Sequence, residues 1–362
     1  MSTCPDILSS CGPSARPNEE IAMITVENDA LVFEFPKVHA EARLRIELQR
    51  TLRIPDDGRD YPLPPGLGRF PLRQVERLGA RAPKAWRDTG GAALPMYQSE
   101  AMWISLRSDW IDRRATPYPF AIKISAGRLN AVSGEAWRKG LHREPQDYVV
   151  APEQPWLDGF CVGKGVIRQF VAMPLGAGYS AEEQLVSGAH WGGLRIAVYP
   201  MKRTRFEELY PEQPEQPPRT GGAGSGEKCC CYSPARPMGL GAGGRMRQEI
   251  YEDGYRLADW DRQRALACHL HIANSLAWHA ATGALPPTPP PTAAEYDSYG
   301  LPWFDYYDDR PALEGAGALK KLKSVAQLDK KKGNVSLLEN ESTGAKLVVK
   351  VGKVECAKTV PL

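Results

Sequence analysis

The sequence predicts a mainly β protein: a β-rich α+β fold with antiparallel sheets, sandwich or barrel-like, and a few short helices. Three observations predict it. Apolar residues alternate with polar ones at period two in several separate segments. Turn formers divide those segments, with 34 glycines and 32 prolines in 362 residues. Few helical windows lie between the strands, which argues against alternating βα units.

The first twenty residues are polar, small and Pro-containing, and read as a flexible arm. A β-rich domain is expected over residues 21–210. ALVFEF, from Ala30, opens it. ARLRIELQRTLRI gives the cleanest alternation. Ala42, Leu44, Ile46, Leu48, Leu52 and Ile54 share one side, while Arg43, Arg45, Glu47, Gln49 and Arg53 take the other. Only Arg50 interrupts it. After a proline-rich connection, DYPLPPGLGRFPL, further strands are expected at Ala101–Ser108, at residues 119–125, 165–175 and 192–201. PFAIKISAGRLNAVSG reads as a hairpin turning at Ala126, Gly127 and Arg128.

Residues 211–244 read as a Pro/Gly-rich linker or long loop. An α+β part over 245–362 is expected to pack on the first domain. In it, RMRQEIYED resembles a strand. Leu266, Cys268 and Leu270 fit one side of a strand, and IANSLAWHAATG fits a helix closed by Gly283. Thr292 and Glu295 have the spacing of a capping box. LKKLKSVAQLDKKKG is a short basic amphipathic segment, and NVSLLENESTGAKLVVKVGKV reads as a small hairpin.

Composition bounds the partners. Apolar residues make up 42% and charged residues 25%, a globular balance. With 46 basic and 43 acidic residues, the net charge of +3 gives no argument for nucleic acid or an anionic membrane. No apolar run reaches the ~18–20 residues needed to span a bilayer. A secretory n-region is absent from the start of the sequence, so a cytoplasmic location is expected. The eight cysteines show no small-scaffold disulfide spacing.

The most unusual stretch is EKCCCYSPARPMGLGAGGRMR. Adjacent cysteines in extended chain point in alternating directions, so Cys229 and Cys231 offer one metal at most two sulfurs, and Cys230 points away. No second pair lies nearby, and loop thiols are the expectation. GLGAGGR lacks the strand before and helix after that a phosphate cradle needs, and reads as a flexible return. No metal and no cofactor is therefore expected. If a metal were bound, Cys268, His269 and His271 would be its donors, since the two histidines share one side in a strand.

Carboxylates beside aromatics give the binding candidates. QPWLDGF sets Asp158 by Trp156. GYSAEEQ sets Tyr179 by Glu182 and Glu183, and Trp191 follows in a glycine turn. Trp303, Phe304, Tyr306 and Tyr307 also crowd into one turn-like segment, where aromatics plug sheet edges or line a binding surface. No G-x-S-x-G or H-E-x-x-H occurs. The expected function is accordingly a non-catalytic binding or structural protein that uses aromatic-rich loops. Its partner would be a protein, a small-molecule ligand, or a second copy of the chain in a homo-oligomer. The alternative is a hydrolase with carboxylates or a His/Cys metal centre in a cleft between sheets.

RQFVAMPLGAGYSAEEQ, HWGGLRIAVYP, RMRQEIYED, the run from LHIANS through TGALPPTPPPTAAEY to GLPWFDYYDD, and LKSVAQLDKKKG together resemble an uncharacterised family of bacterial and fungal proteins. The resemblance covers most of residues 20–335. Some fungal members of that family carry a ubiquitin-like segment, of which this sequence shows no obvious counterpart. No activity is established for the family, so the resemblance implies no catalytic residue and no cofactor.

Overall fold

A computed structural model describes residues 22–188, 191–212, 237–308, 310–334 and 342–352. The N-terminal arm, His190, the Cys229–Cys231 triplet and nearly all of the 211–228 stretch lie outside the described residues. The class is the expected β-rich α+β fold, mostly antiparallel. Seventeen strands join into one open, branched sheet that runs from Met23 to Ala273 along the chain.

The Arg43–Thr51 strand is its hub. One edge pairs antiparallel with Ala30–Glu34 and then Gly66–Arg69, and the other with Ala101–Ser108. Leu44, Ile46 and Leu48 are fully buried, as the alternation requires. Arg50, which breaks the pattern, faces inward too. It is tolerated because its guanidinium meets the buried Glu100 carboxylate at 2.7 Å and the Thr288 carbonyl. Glu47 and Arg53, assigned by parity to the wet side, are buried by neighbouring segments.

From Ala101–Ser108 the sheet passes to Trp156–Leu157 and Val166–Pro174, and from there to Met238–Arg247. Phe120–Ala126 pairs with Leu194–Pro200, which pairs with Leu266–Ala273. Within this sheet two of the described strand pairings are parallel: Leu266–Ala273 with Ala92–Pro95, and Asp60–Tyr61 with Met238–Arg247.

The glycine run corrects the sequence reading. GLGAGGR is no flexible return. It forms most of the buried Met238–Arg247 strand, so the expected 211–244 loop stops short of it. Close packing explains the composition: a Cβ on Gly244 would lie 2.4 Å from the Pro55 carbonyl oxygen, and one on Gly243 2.6 Å from Val171. RMRQEIYED, read as a strand, supplies only its first three residues to one. Residues 335–341 of the expected C-terminal hairpin lie outside the described residues. Val348–Gly352 pairs in parallel with Trp303–Tyr307.

The helices are short, and four carry a side-chain N-cap among the described residues. Asn274 caps Ser275–Thr282, which closes at Gly283 with φ 73°. Thr292 and Glu295 form the anticipated capping box. Among the described residues no helix is long and apolar enough to cross a membrane.

Candidate functional site

Trp156 and Asp158, flagged together by the sequence, line one pocket. Around them are Trp103 of the Ala101–Ser108 strand, Pro64, Pro65 and Gly66 of the proline-rich connection, and Phe304, Tyr306 and Val351 of the C-terminal strand pair. The pocket is open to solvent on one side and offers about 230 Å³. Its walls are almost wholly apolar apart from one carboxyl group.

Local structure sets each wall. Trp156 pairs with Ser105, and Leu157 with Ile104, so the Trp156 ring stands on the same sheet face as Trp103. Gln248 fixes the backbone on both sides of Leu157: its Oε1 accepts the Asp158 amide at 3.0 Å, and its Nε2 donates to the Trp156 carbonyl at 3.3 Å. The residue after Asp158 must be glycine, because a Cβ on Gly159 would lie 1.9 Å from the Arg168 carbonyl oxygen. Leu63 and Phe304 exchange backbone hydrogen bonds at 2.7 and 2.9 Å, stapling the proline-rich segment to the C-terminal strand. Arg247 holds that strand through Asp305 at 2.8 Å.

Asp158 is 4% exposed, and its Oδ2 has no hydrogen-bond partner among the described residues. Burial pushes its pKa up to about 7, against the opposing pull of the Trp156 and Gln248 side chains. Near neutral pH the group is therefore a carboxylic acid as much as a carboxylate. As an acid it holds an O–H to donate into an apolar chamber.

The other sequence candidates serve the fold. Glu182 is 1% exposed and accepts the Arg128 amide at 2.8 Å and the Gly192 amide at 3.0 Å. Glu183 closes the Ser180 capping box and accepts the Gly176 and Gly178 amides. Burial raises its pKa, but those hydrogen bonds outweigh it and leave the group low. Tyr179 donates to Asp329 at 2.6 Å and carries Lys332 over its ring, tying down the Val325–Lys332 helix. Trp191 is 61% exposed and does not line this pocket.

Cys268, His269 and His271 lie on one strand, and the histidines share a side as expected. They do not converge. His271 stacks on Trp86 at 5.3 Å and shares a hydrogen bond with the Gly90 carbonyl at 2.9 Å. Cys268 and His269 line a different cleft, beside Glu76. Burial depresses both histidines and lifts the Cys268 thiol to about 12. Among the described residues no three His, Cys, Asp or Glu side chains come together.

Trp103 escaped the sequence reading, although a signal was present. In AMWISLRS the inward side is Met102, Ile104 and Leu106, so the large ring of Trp103 stands on the side that should be wet.

The class these features define is a β-rich protein with an aromatic pocket around one buried acid. No family model, curated protein or solved structure matches the chain. The resemblance to bacterial and fungal proteins without an established activity therefore carries no residue roles to it.

Proposed function

We propose that the chain is a non-catalytic binding protein. It takes the ring system of a small, largely apolar molecule between Trp103, Trp156 and Tyr306, and Asp158 in its neutral form donates a hydrogen bond to an acceptor on that molecule. The observation that carries this reading is the buried, unpartnered Oδ2 of Asp158, a residue that lines an apolar pocket. A buried polar atom without a partner costs about 1–3 kcal/mol, which a ligand acceptor would recover. Size fits as well. A cavity of about 150 Å³ holds benzene, so 230 Å³ suits a bicyclic ring.

The hydrolase alternative rests on one feature, the pKa of Asp158 near 7, which is also how a general acid is tuned. Against it, the described lining holds no second carboxylate and no histidine, serine or cysteine. Glu182 and Glu183 are consumed by backbone amides.

Titration with 1-tetralone, a bicyclic ketone, followed by tryptophan fluorescence, tests the reading. Saturable binding is expected at pH 5.5, weaker by about tenfold at pH 8.5, where the O–H donor is gone. Tetralin, lacking the carbonyl, should show no such pH dependence. Absence of saturable binding by either probe, or binding unchanged in Trp103→Ala, would overturn it.

A further inference from the structure

The strand row that carries Trp103 leads, past the buried Ser105 and Glu47, to an arginine-lined basin. The register sets Gln49 opposite Trp103, Glu47 opposite Ser105, and Arg45 opposite Arg107. Ser105 in turn pairs with Trp156. Alternate residues of a strand share a face, so Trp103, Ser105 and Arg107 form one row. Four residues separate its ends, a distance of about 13 Å. The basin at the far end encloses about 550 Å³ and is lined by Arg45, Arg107, Arg69, Asp109 and Trp110, among others.

The charges in that basin are unevenly satisfied. Glu47 is held by Arg69 at 3.2 Å and by Gln49 at 3.0 Å. Asp109 faces Arg43 at 3.4 Å. Arg45 donates to the Glu27 carbonyl at 3.5 Å and reaches the Glu27 carboxylate only at 4.0 Å. Arg107 is exposed and has no hydrogen-bond or ion-pair partner among the described residues. Arg45 and Arg107 thus sit opposite each other in register and line one basin, Arg45 with a single distant carboxylate and Arg107 with none among the described residues. Like charges opposed across strands destabilise a sheet, and an anion between them removes that penalty. The planar donor fork of arginine suits a carboxylate or a phosphate. At the rim, Trp110 is 61% exposed, a large apolar surface held in water beside these charges.

We propose that Arg45 and Arg107 form a second subsite, for the anionic head of an elongated amphiphile whose ring occupies the Trp103–Trp156 pocket. This rests on the reading of that pocket given above, and it names the ligand class: a small organic molecule with an apolar ring at one end and a carboxylate or phosphate about 13 Å away. Trp110 covers the linker near the head. Asp158, largely uncharged below neutral pH, does not oppose an anion on the same face.

Isothermal titration with four probes tests the subsite: naphthyloctanoate, its methyl ester, naphthyloctyl phosphate, and the short naphthylacetate. The two long anions are expected to bind at least tenfold more tightly than the ester, and added salt should shrink that margin. Arg45→Ala and Arg107→Ala should remove the margin while leaving ester affinity unchanged. Naphthylacetate, too short to span the face, should be insensitive to both substitutions. A wider margin for the phosphate than for the carboxylate would assign the head group, and the reverse order would assign the other. Equal binding of the long anions and the ester, or equal losses for both in the arginine variants, would overturn the subsite and leave the ring pocket standing. Failure of all four probes to bind would overturn both.

Discussion

Trp156 and Tyr306 meet edge to face, ring centroids 4.8 Å apart and planes at 75°. This contact joins the sheet to the C-terminal strand pair and forms one wall of the cavity. Edge-to-face pairs contribute about 0.5–1.5 kcal/mol beyond their buried area. Tyr306→Ala should therefore cost about 1–3 kcal/mol in denaturant unfolding and weaken ring-probe binding. Tyr306→Phe should preserve both.

Asp158 gives a pH signature. Its folded pKa is raised from 3.8 to about 7, so across that interval the folded state binds more protons than the unfolded state. Stability from this group is then greatest in acid and falls as pH rises through the window, by roughly 4 kcal/mol if Asp158 acted alone. Replacing it with asparagine should flatten that part of the curve. Urea unfolding from pH 4 to pH 8 measures it, and a parallel decline in Asp158→Asn would contradict the assignment.

The Glu182 carboxylate stands in for a backbone acceptor at two turns. Glu182→Ala strands two amides and should destabilise by about 2–4 kcal/mol without changing ring-probe affinity. Gly127→Ala should be comparably damaging. Its φ is +55°, and the added Cβ would lie 2.1 Å from Glu182 Oε2.

A pair of glycine substitutions tests the buried glycine strand. Gly244→Ala should destabilise severely, because the rigid Pro55 backbone blocks the new methyl. Gly254→Ala meets nothing within 4 Å, its φ is not positive, and its melting temperature should stay near that of the parent. Similar melting temperatures for the two would mean that the strand is not packed as described.

Tyr179→Phe removes the hydrogen bonds to Asp329 and Asn334. A loss of about 1–2 kcal/mol is expected. Hydrogen exchange should report it first in the Val325–Lys332 helix.

Strands such as Arg43–Thr51 and Ala101–Ser108 were legible because a half-buried strand writes its exposure at period two. The Thr292 capping box and the Gly283 helix stop were legible because they are satisfied within a few residues. The pairing of Trp156 with Asp158 could be read for the same reason: the two are near neighbours in sequence. The buried role of GLGAGGR could not. Its composition matches a loop, and only the Pro55 and Val171 contacts from distant segments show why small residues are required there.

The same divide separates the site from its candidates. By itself the sequence determined the fold class, the inward side of each alternating strand, and the local acid–aromatic pair. It listed Asp158, Glu182 and Glu183 as equals, since nothing in residue type distinguishes a carboxylate that clamps a turn from one buried beside an apolar pocket with an oxygen unpartnered among the described residues. Tertiary structure decided between them by bringing Arg128 and Gly192 to Glu182, and Trp103 and Tyr306 to the Asp158 cavity. It also set Arg45 opposite Arg107. Burial and cross-strand register depend on residues far apart in the chain, and those long-range contacts leave no periodic trace in a single sequence.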